Sequence, residues 1–124
     1  MAAEFTNWRT EQRSWREGTA LLDQSHHMTN LYIKGPDALA LLTYLGVNSF
    51  ASFTPGRAKQ FVAATEAGHY IGDAILFYLE HELFDLVGHP MSLDWVQYHV
   101  ATGAWQVTTE LDDNSFKRQG PPKV

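Results

Sequence analysis

Cysteine is absent from the 124 residues, which excludes disulfides, thiolate zinc sites and cysteine nucleophiles. A chain without cysteine suits a reducing compartment. Basic residues are scarce, nine Lys and Arg against fourteen Asp and Glu, and they are dispersed. No stripe of them can follow a phosphate backbone, so nucleic acid is not an expected partner. No apolar run reaches membrane-spanning length, and the start, Met1-Ala2-Ala3-Glu4-Phe5-Thr6-Asn7, lacks the apolar core of a secretion signal. The expectation is therefore a cytoplasmic protein with no membrane partner. Internal repeats, heptads and a phosphate-binding glycine loop are also missing. What is present is apolar: 44% hydrophobic residues and 13% aromatic exclude a disordered chain and suffice for one domain with a core, though not for two.

Residues 7–18 favour a helix, with Thr6 or Asn7 as N-cap. Trp8 and Trp15 lie two turns apart on it, and core packing is the expected fate of both. A strand is expected over 27–34 by alternation. Over 35–46, Pro36 suits a first helical position, Asp37 favours the positive helix end, and Leu39, Leu42 and Leu45 form a stripe. Gly46 is placed to supply a left-handed stop. After a turn-rich connection over 47–56, strands are expected at 59–64, 68–79 and 83–87, separated by turns at 66–68 and 81–82. Pro90 opens a further helix ending before Gly103, whose apolar residues cover so much of its circumference that it should be nearly surrounded. A last strand is expected over 104–111. This order predicts an α+β fold with helices packed on a mixed or antiparallel sheet. Residues 1–111 form the expected domain, and 112–124 a polar tail or linker.

The stretch 68–79 carries the chemical oddity. Ile71, Asp73, Ile75, Phe77 and Leu79 alternate onto one side, and Tyr70, Gly72, Ala74, Leu76 and Tyr78 onto the other. Both sides are mostly apolar, which predicts a central strand covered on both faces. Asp73 is then a carboxylate among Ile and Phe, and an unpaired buried carboxylate costs on the order of several kcal/mol. It needs a donor, a cation or a ligand. The structural alternative is satisfaction by backbone N–H groups of a neighbouring loop. Gly72 leaves room for a bulge or the close approach of another group.

A second polar concentration is Asp23-Gln24-Ser25-His26-His27-Met28, a candidate pocket lining. Adjacent histidines on a strand point to opposite faces, so His26 and His27 cannot share one metal there. His81-Glu82-Leu83-Phe84-Asp85 echoes a zinc protease motif, yet that motif needs a helix, and this one lies at a turn entering a strand. No metal is expected.

Several stretches in order resemble the N-terminal part of the glycine cleavage T-protein (aminomethyltransferase) family. They are Leu22-Asp23-Gln24-Ser25-His26-His27-Met28, Gly35-Pro36-Asp37-Ala38, Asn48, Thr54-Pro55-Gly56-Arg57, Thr65-Glu66-Ala67-Gly68, Ile71-Gly72-Asp73 and Asp94-Trp95. Asn7-Trp8-Arg9, Trp15-Arg16, the doubled histidine and Gly72-Asp73-Ala74-Ile75-Leu76-Phe77 look most like the tetrahydrofolate-dependent aromatic O-demethylases, which act on methoxylated acids such as vanillate and syringate. The resemblance implies tetrahydrofolate as cofactor and an aromatic methyl ether as substrate. It implies Asp73 as the catalytic carboxylate, with Asp73, Met28, His27 and Asn48 toward the folate and His26 and Gln60 toward the substrate. Two departures stand out. The family typically carries two acids where this chain has Gly72-Asp73, keeping only the second, and its Tyr-Thr pair falls at Gln60-Phe61. Family members are also longer, so the resemblance implies an N-terminal fragment whose C-terminal portion completes the cavity. Asp73 is then exposed on one wall of a half-built site. The alternatives are an aminomethyltransferase of the glycine cleavage system and a non-catalytic truncated fragment.

Overall fold

The computed structural model describes residues 6–21 and 28–113. Within them the order is α1 (Trp8–Glu17), β1 (Thr29–Lys34), α2 (Ala38–Leu45), β2 (Arg57–Ala64), β3 (Tyr70–Glu80), β4 (Leu83–Gly88), α3 (Pro90–Thr102) and β5 (Thr108–Asp112). The five strands form one sheet in the order β2-β3-β4-β1-β5, and every pairing is antiparallel. The α+β expectation holds, and of its two sheet types the antiparallel one is realised.

Alternation along the strands builds the core on one face. Leu31, Ile33, Phe61, Ala63, Ala74, Leu76, Phe84 and Leu86 are buried there, together with Ala38, Leu41, Leu42 and Leu45 of α2 and Leu93 and Val96 of α3. The packing is close enough to dictate composition. A Cβ on Gly72 would collide with the hydroxyl of fully buried Ser92 at the start of α3, so only glycine lets helix and sheet meet there. Gly46 is also closely approached, and a Cβ there would lie 3.0 Å from the Leu42 carbonyl oxygen and 3.0 and 3.1 Å from the rings of Phe50 and Phe61. Gly46 is not the left-handed stop expected: its φ of −93° and ψ of 139° are extended, and its N–H closes the helix on the Leu42 carbonyl at 3.0 Å. Its use is close approach rather than a special dihedral. Asp37 sits at the N-cap position of α2 without capping it, and instead accepts the Gln106 N–H at 2.8 Å, tying the start of α2 to the segment before β5.

Three further expectations are corrected. The helix α1 forms with Asn7 as N-cap, its side chain accepting from the Thr10 N–H at 3.1 Å. Yet it buries nothing, and Trp8 and Trp15 stay exposed instead of entering the core. The helix α3 is not surrounded: Ser92, Leu93 and Val96 are its buried residues, while Met91 and Tyr98 face outward exposed. Finally, β3 is covered on one face only. Its inward residues Gly72, Ala74 and Leu76 are buried, and its outward residues Asp73, Ile75, Phe77 and Leu79 are exposed. An apolar pattern on both faces does not by itself cover both: α2 and α3 pack on the inward one.

Candidate functional site

The outward face of the sheet, away from α2 and α3, positions the candidate groups. Asp73 stands opposite Val62 of β2, and Gln60 opposite Ile75, one step along the same face. The pairing slips between Ala63 and Ala64: Ala63 faces Gly72, Ala64 faces Tyr70, and Ile71 is the extra residue. A bulge of this kind interrupts alternation. It turns Tyr70 onto the face of Asp73, where strict alternation had put it on the opposite one. The Tyr70 hydroxyl donates to Asp73 Oδ1 at 2.6 Å, and Gln60 Nε2 donates to Asp73 Oδ2 at 3.1 Å.

Each oxygen of Asp73 thus has a donor, and both donors are side chains of the sheet itself rather than backbone groups of a loop. The Tyr70 bond, and then the Gln60 bond, hold the Asp73 carboxyl below its ordinary value. Reciprocally, the hydrogen bond to Asp73 raises the Tyr70 phenol. The outcome is an ionised carboxylate and a neutral phenol. Beside them lies an open depression of ≈ 380 Å³ lined by Ala58, Lys59, Gln60, Asp73 and Ile75. Lys59 leans away from the carboxylate, its Nζ donating to the Ser49 carbonyl at 3.0 Å.

The other expected residues are placed differently. Asn48 is half-buried at the free edge of β2, its Oδ1 accepting the Val62 N–H at 3.0 Å, while the Val47 N–H donates to the Val62 carbonyl at 2.9 Å. This covers the edge strand, a structural task in its own right. Met28 is exposed and precedes Thr29, which pairs with Gly88, itself paired with Ala74. That register puts Met28 level with Asp73 two strands over, roughly 9–10 Å away at ordinary strand spacing. His26 and His27 lie outside the described residues. No group of three or more metal-ligating side chains occurs among the described residues, and none of their helices is long and apolar enough to cross a membrane.

Two features of this face escaped the reading of the sequence. One is Tyr70, whose orientation depends on a bulge that Gly72 hinted at only loosely. The other is the buried pair formed by Asn30 and Asp85, in which Asn30 Nδ2 lies 3.0 and 2.9 Å from the two Asp85 oxygens. Asp85, flanked by Phe84 and Leu86, carries the same signal of a carboxylate in an apolar strand that drew attention to Asp73.

The family defined as the GCVT N-terminal domain matches residues 1–121. The chain belongs to this family. It is 50% identical over 116 residues to a protein named syringate O-demethylase from Sphingobium sp., an alignment covering 94% of this chain and 25% of that protein. It is 31% identical over 96 residues to an aminomethyltransferase from Corynebacterium aurimucosum, covering 77% of this chain and 26% of the relative. The chain therefore spans about a quarter of the length of these curated relatives. Among solved structures, the glycine cleavage system aminomethyltransferase T from Bartonella henselae superposes with a TM-score of 0.59 at 20% identity, over 70% of this chain and 25% of that one. At that identity the likeness speaks to fold alone. In this GCVT N-terminal domain, the Asp73 carboxylate keeps unused lone pairs on both oxygens, so it can accept an N–H from a ligand in the depression while apolar Ile75 and Ala58 lie against the ligand's body.

Proposed function

We propose that the chain is the N-terminal part of a tetrahydrofolate-dependent methyltransferase that O-demethylates methoxylated aromatic acids. One observation carries the reading: an exposed carboxylate, held ionised and oriented by two side chains on an otherwise apolar sheet face. The 50% identity to a protein named syringate O-demethylase supports the reaction class. In that reaction the methyl–oxygen bond of the aryl ether breaks, the methyl joins N5 of tetrahydrofolate as N5 gives up its hydrogen as a proton, and the phenoxide takes up a proton to leave the phenol. The chemical problem is a poor leaving group and a weak nucleophile, which positioning and hydrogen bonding relieve.

Asp73 accepts a hydrogen bond from the folate near its reacting nitrogens. Met28, His27 and Asn48 are assigned to the same ligand, Met28 by apolar contact, and His26 and Gln60 to the aromatic substrate; Gln60 also braces Asp73. Residues 1–111, extended by Asp112 at the end of β5, act as a partial folate-binding domain that the C-terminal portion completes, and the enzyme works in the cytoplasm.

The test is transfer of a ¹³C-labelled methoxyl carbon from syringate or vanillate to tetrahydrofolate by the full-length protein, followed by NMR. Appearance of the labelled methyl on folate in the wild type, and its loss in Asp73→Ala, is the expected result. Unchanged turnover in Asp73→Ala removes Asp73 from the site. A second reading, aminomethyl transfer, is favoured by the 31% identity to an aminomethyltransferase. It predicts activity with an aminomethylated lipoyl carrier protein and none with either aryl ether.

A further inference from the structure

We propose that Tyr70 is a positioning residue: the bulge at Ile71 turns its phenol onto Asp73, and together with Gln60 it locks the carboxylate in one orientation toward an N–H-bearing heterocyclic ligand in the depression.

Local geometry carries this. A regular strand would direct Tyr70 inward alongside Gly72 and Ala74, and the extra residue at Ile71 reverses it at the cost of one position in the ladder. Burial of Tyr70 does not account for its orientation, because the ring is 64% exposed on arrival, while the extra residue Ile71 packs against the core. What the reversal creates is a 2.6 Å hydrogen bond to Oδ1, the short charge-assisted kind. An exposed aspartate on a strand otherwise samples several rotamers. With Tyr70 on one oxygen and Gln60 on the other, the plane of the carboxylate is defined before any ligand arrives, and a pre-oriented acceptor binds without losing rotamer freedom.

The two donors also come from different strands, Gln60 from β2 and Tyr70 from the bulged end of β3, so the clamp needs both the pairing and the bulge. A second exposed tyrosine makes a useful contrast. Tyr44 donates to Glu66 Oε1 at 3.2 Å, a longer bond to a carboxylate outside the residues lining the depression. Lys59, the other charged side chain of that lining, is committed to Ser49.

The identity of the ligand as tetrahydrofolate rests on the function proposed above, so the experiment reads the clamp and the ligand separately. In the full-length protein with ¹³C-carboxyl aspartate, the Asp73 titration is followed by NMR in the wild type, Tyr70→Phe and Tyr44→Phe, and tetrahydrofolate affinity is measured calorimetrically in the same three proteins. Tyr70→Phe keeps the ring, so folding survives. The expected result is that the Asp73 midpoint rises in Tyr70→Phe and not in Tyr44→Phe, with folate binding weakened roughly tenfold in Tyr70→Phe alone, the scale of one hydrogen bond to a charged group. An Asp73 midpoint unmoved by Tyr70→Phe overturns the proposal, as does a moved midpoint with unchanged affinity. A wild type that does not bind tetrahydrofolate, but whose Asp73 midpoint still follows Tyr70, overturns the folate reading and supports the clamp.

Discussion

The two faces of the one sheet are composed alike and fated differently. Inward, Leu76 and Phe61 are completely buried beneath α2 and α3. Outward, on β3, Ile75 is 50% and Phe77 36% exposed, and a carboxylate with its own pair of donors stands among them. The outer face is itself divided. At the β1/β4 end Asn30 and Asp85 are buried and bonded to each other, whereas at the β2/β3 end Asp73 is open beside its depression. An antiparallel sheet tolerates one uncovered face. A face that keeps large apolar side chains while uncovered marks a contact surface, and the chain spans about a quarter of its curated relatives' length.

Truncation measures the difference between the faces most directly. Phe61→Ala should lower the stability of the chain by about 3–5 kcal/mol, and Ile75→Ala by no more than about 0.5 kcal/mol. Urea denaturation of the two variants checks this, and a loss at Ile75 approaching that at Phe61 would show that the outer face is covered after all. Neighbouring residues of β3 sharpen the contrast. Gly72→Ala forces a methyl onto Ser92 and should cost about 1–3 kcal/mol as overpacking, visible as a lower thermal midpoint, while Asp73→Asn next to it should leave that midpoint at neutral pH almost unchanged.

The smallest effect is the pH dependence. The Asp73 carboxyl is lowered in the folded chain, so between its folded value and the ordinary value of about 3.9 the unfolded chain binds more protons. Its contribution is fully present above that ordinary value and disappears as the pH falls through the lowered one. Urea midpoints measured from pH 5 downward should therefore fall less steeply in Asp73→Asn than in the wild type. Parallel curves would show that the bonds from Tyr70 and Gln60 do not persist in solution.

Much of this was readable from local pattern, for local reasons. Turn residues and alternation located β2, β3 and β4 to within a few positions, because a period of two and a Gly-containing turn are properties of adjacent residues. Asn7, a side chain able to accept the N–H groups of the following turn, marked the start of α1 correctly. The ordered motifs from Gly35-Pro36-Asp37-Ala38 to Ile71-Gly72-Asp73 pointed to the family that residues 1–121 match. Trp8 and Trp15 were misjudged for the complementary reason: amphipathicity shows that a helix has an apolar side, not that its partner lies in the same chain.

Asp73 shows where the division falls. Residue types and spacing alone determined that a carboxylate sits on an apolar strand beside a glycine; the need for donors rested on burial on both faces, and the exposure of Asp73 removes that need. Which donors it has depended on a cross-strand register that brings Gln60 within 3.1 Å and on one extra residue at Ile71 that turns Tyr70 over. Whether the strand's second face was covered depended on α2 and α3 packing on the same side. Registers, bulges and the choice of face arise from contacts between residues far apart in the chain, and only the tertiary structure decides them.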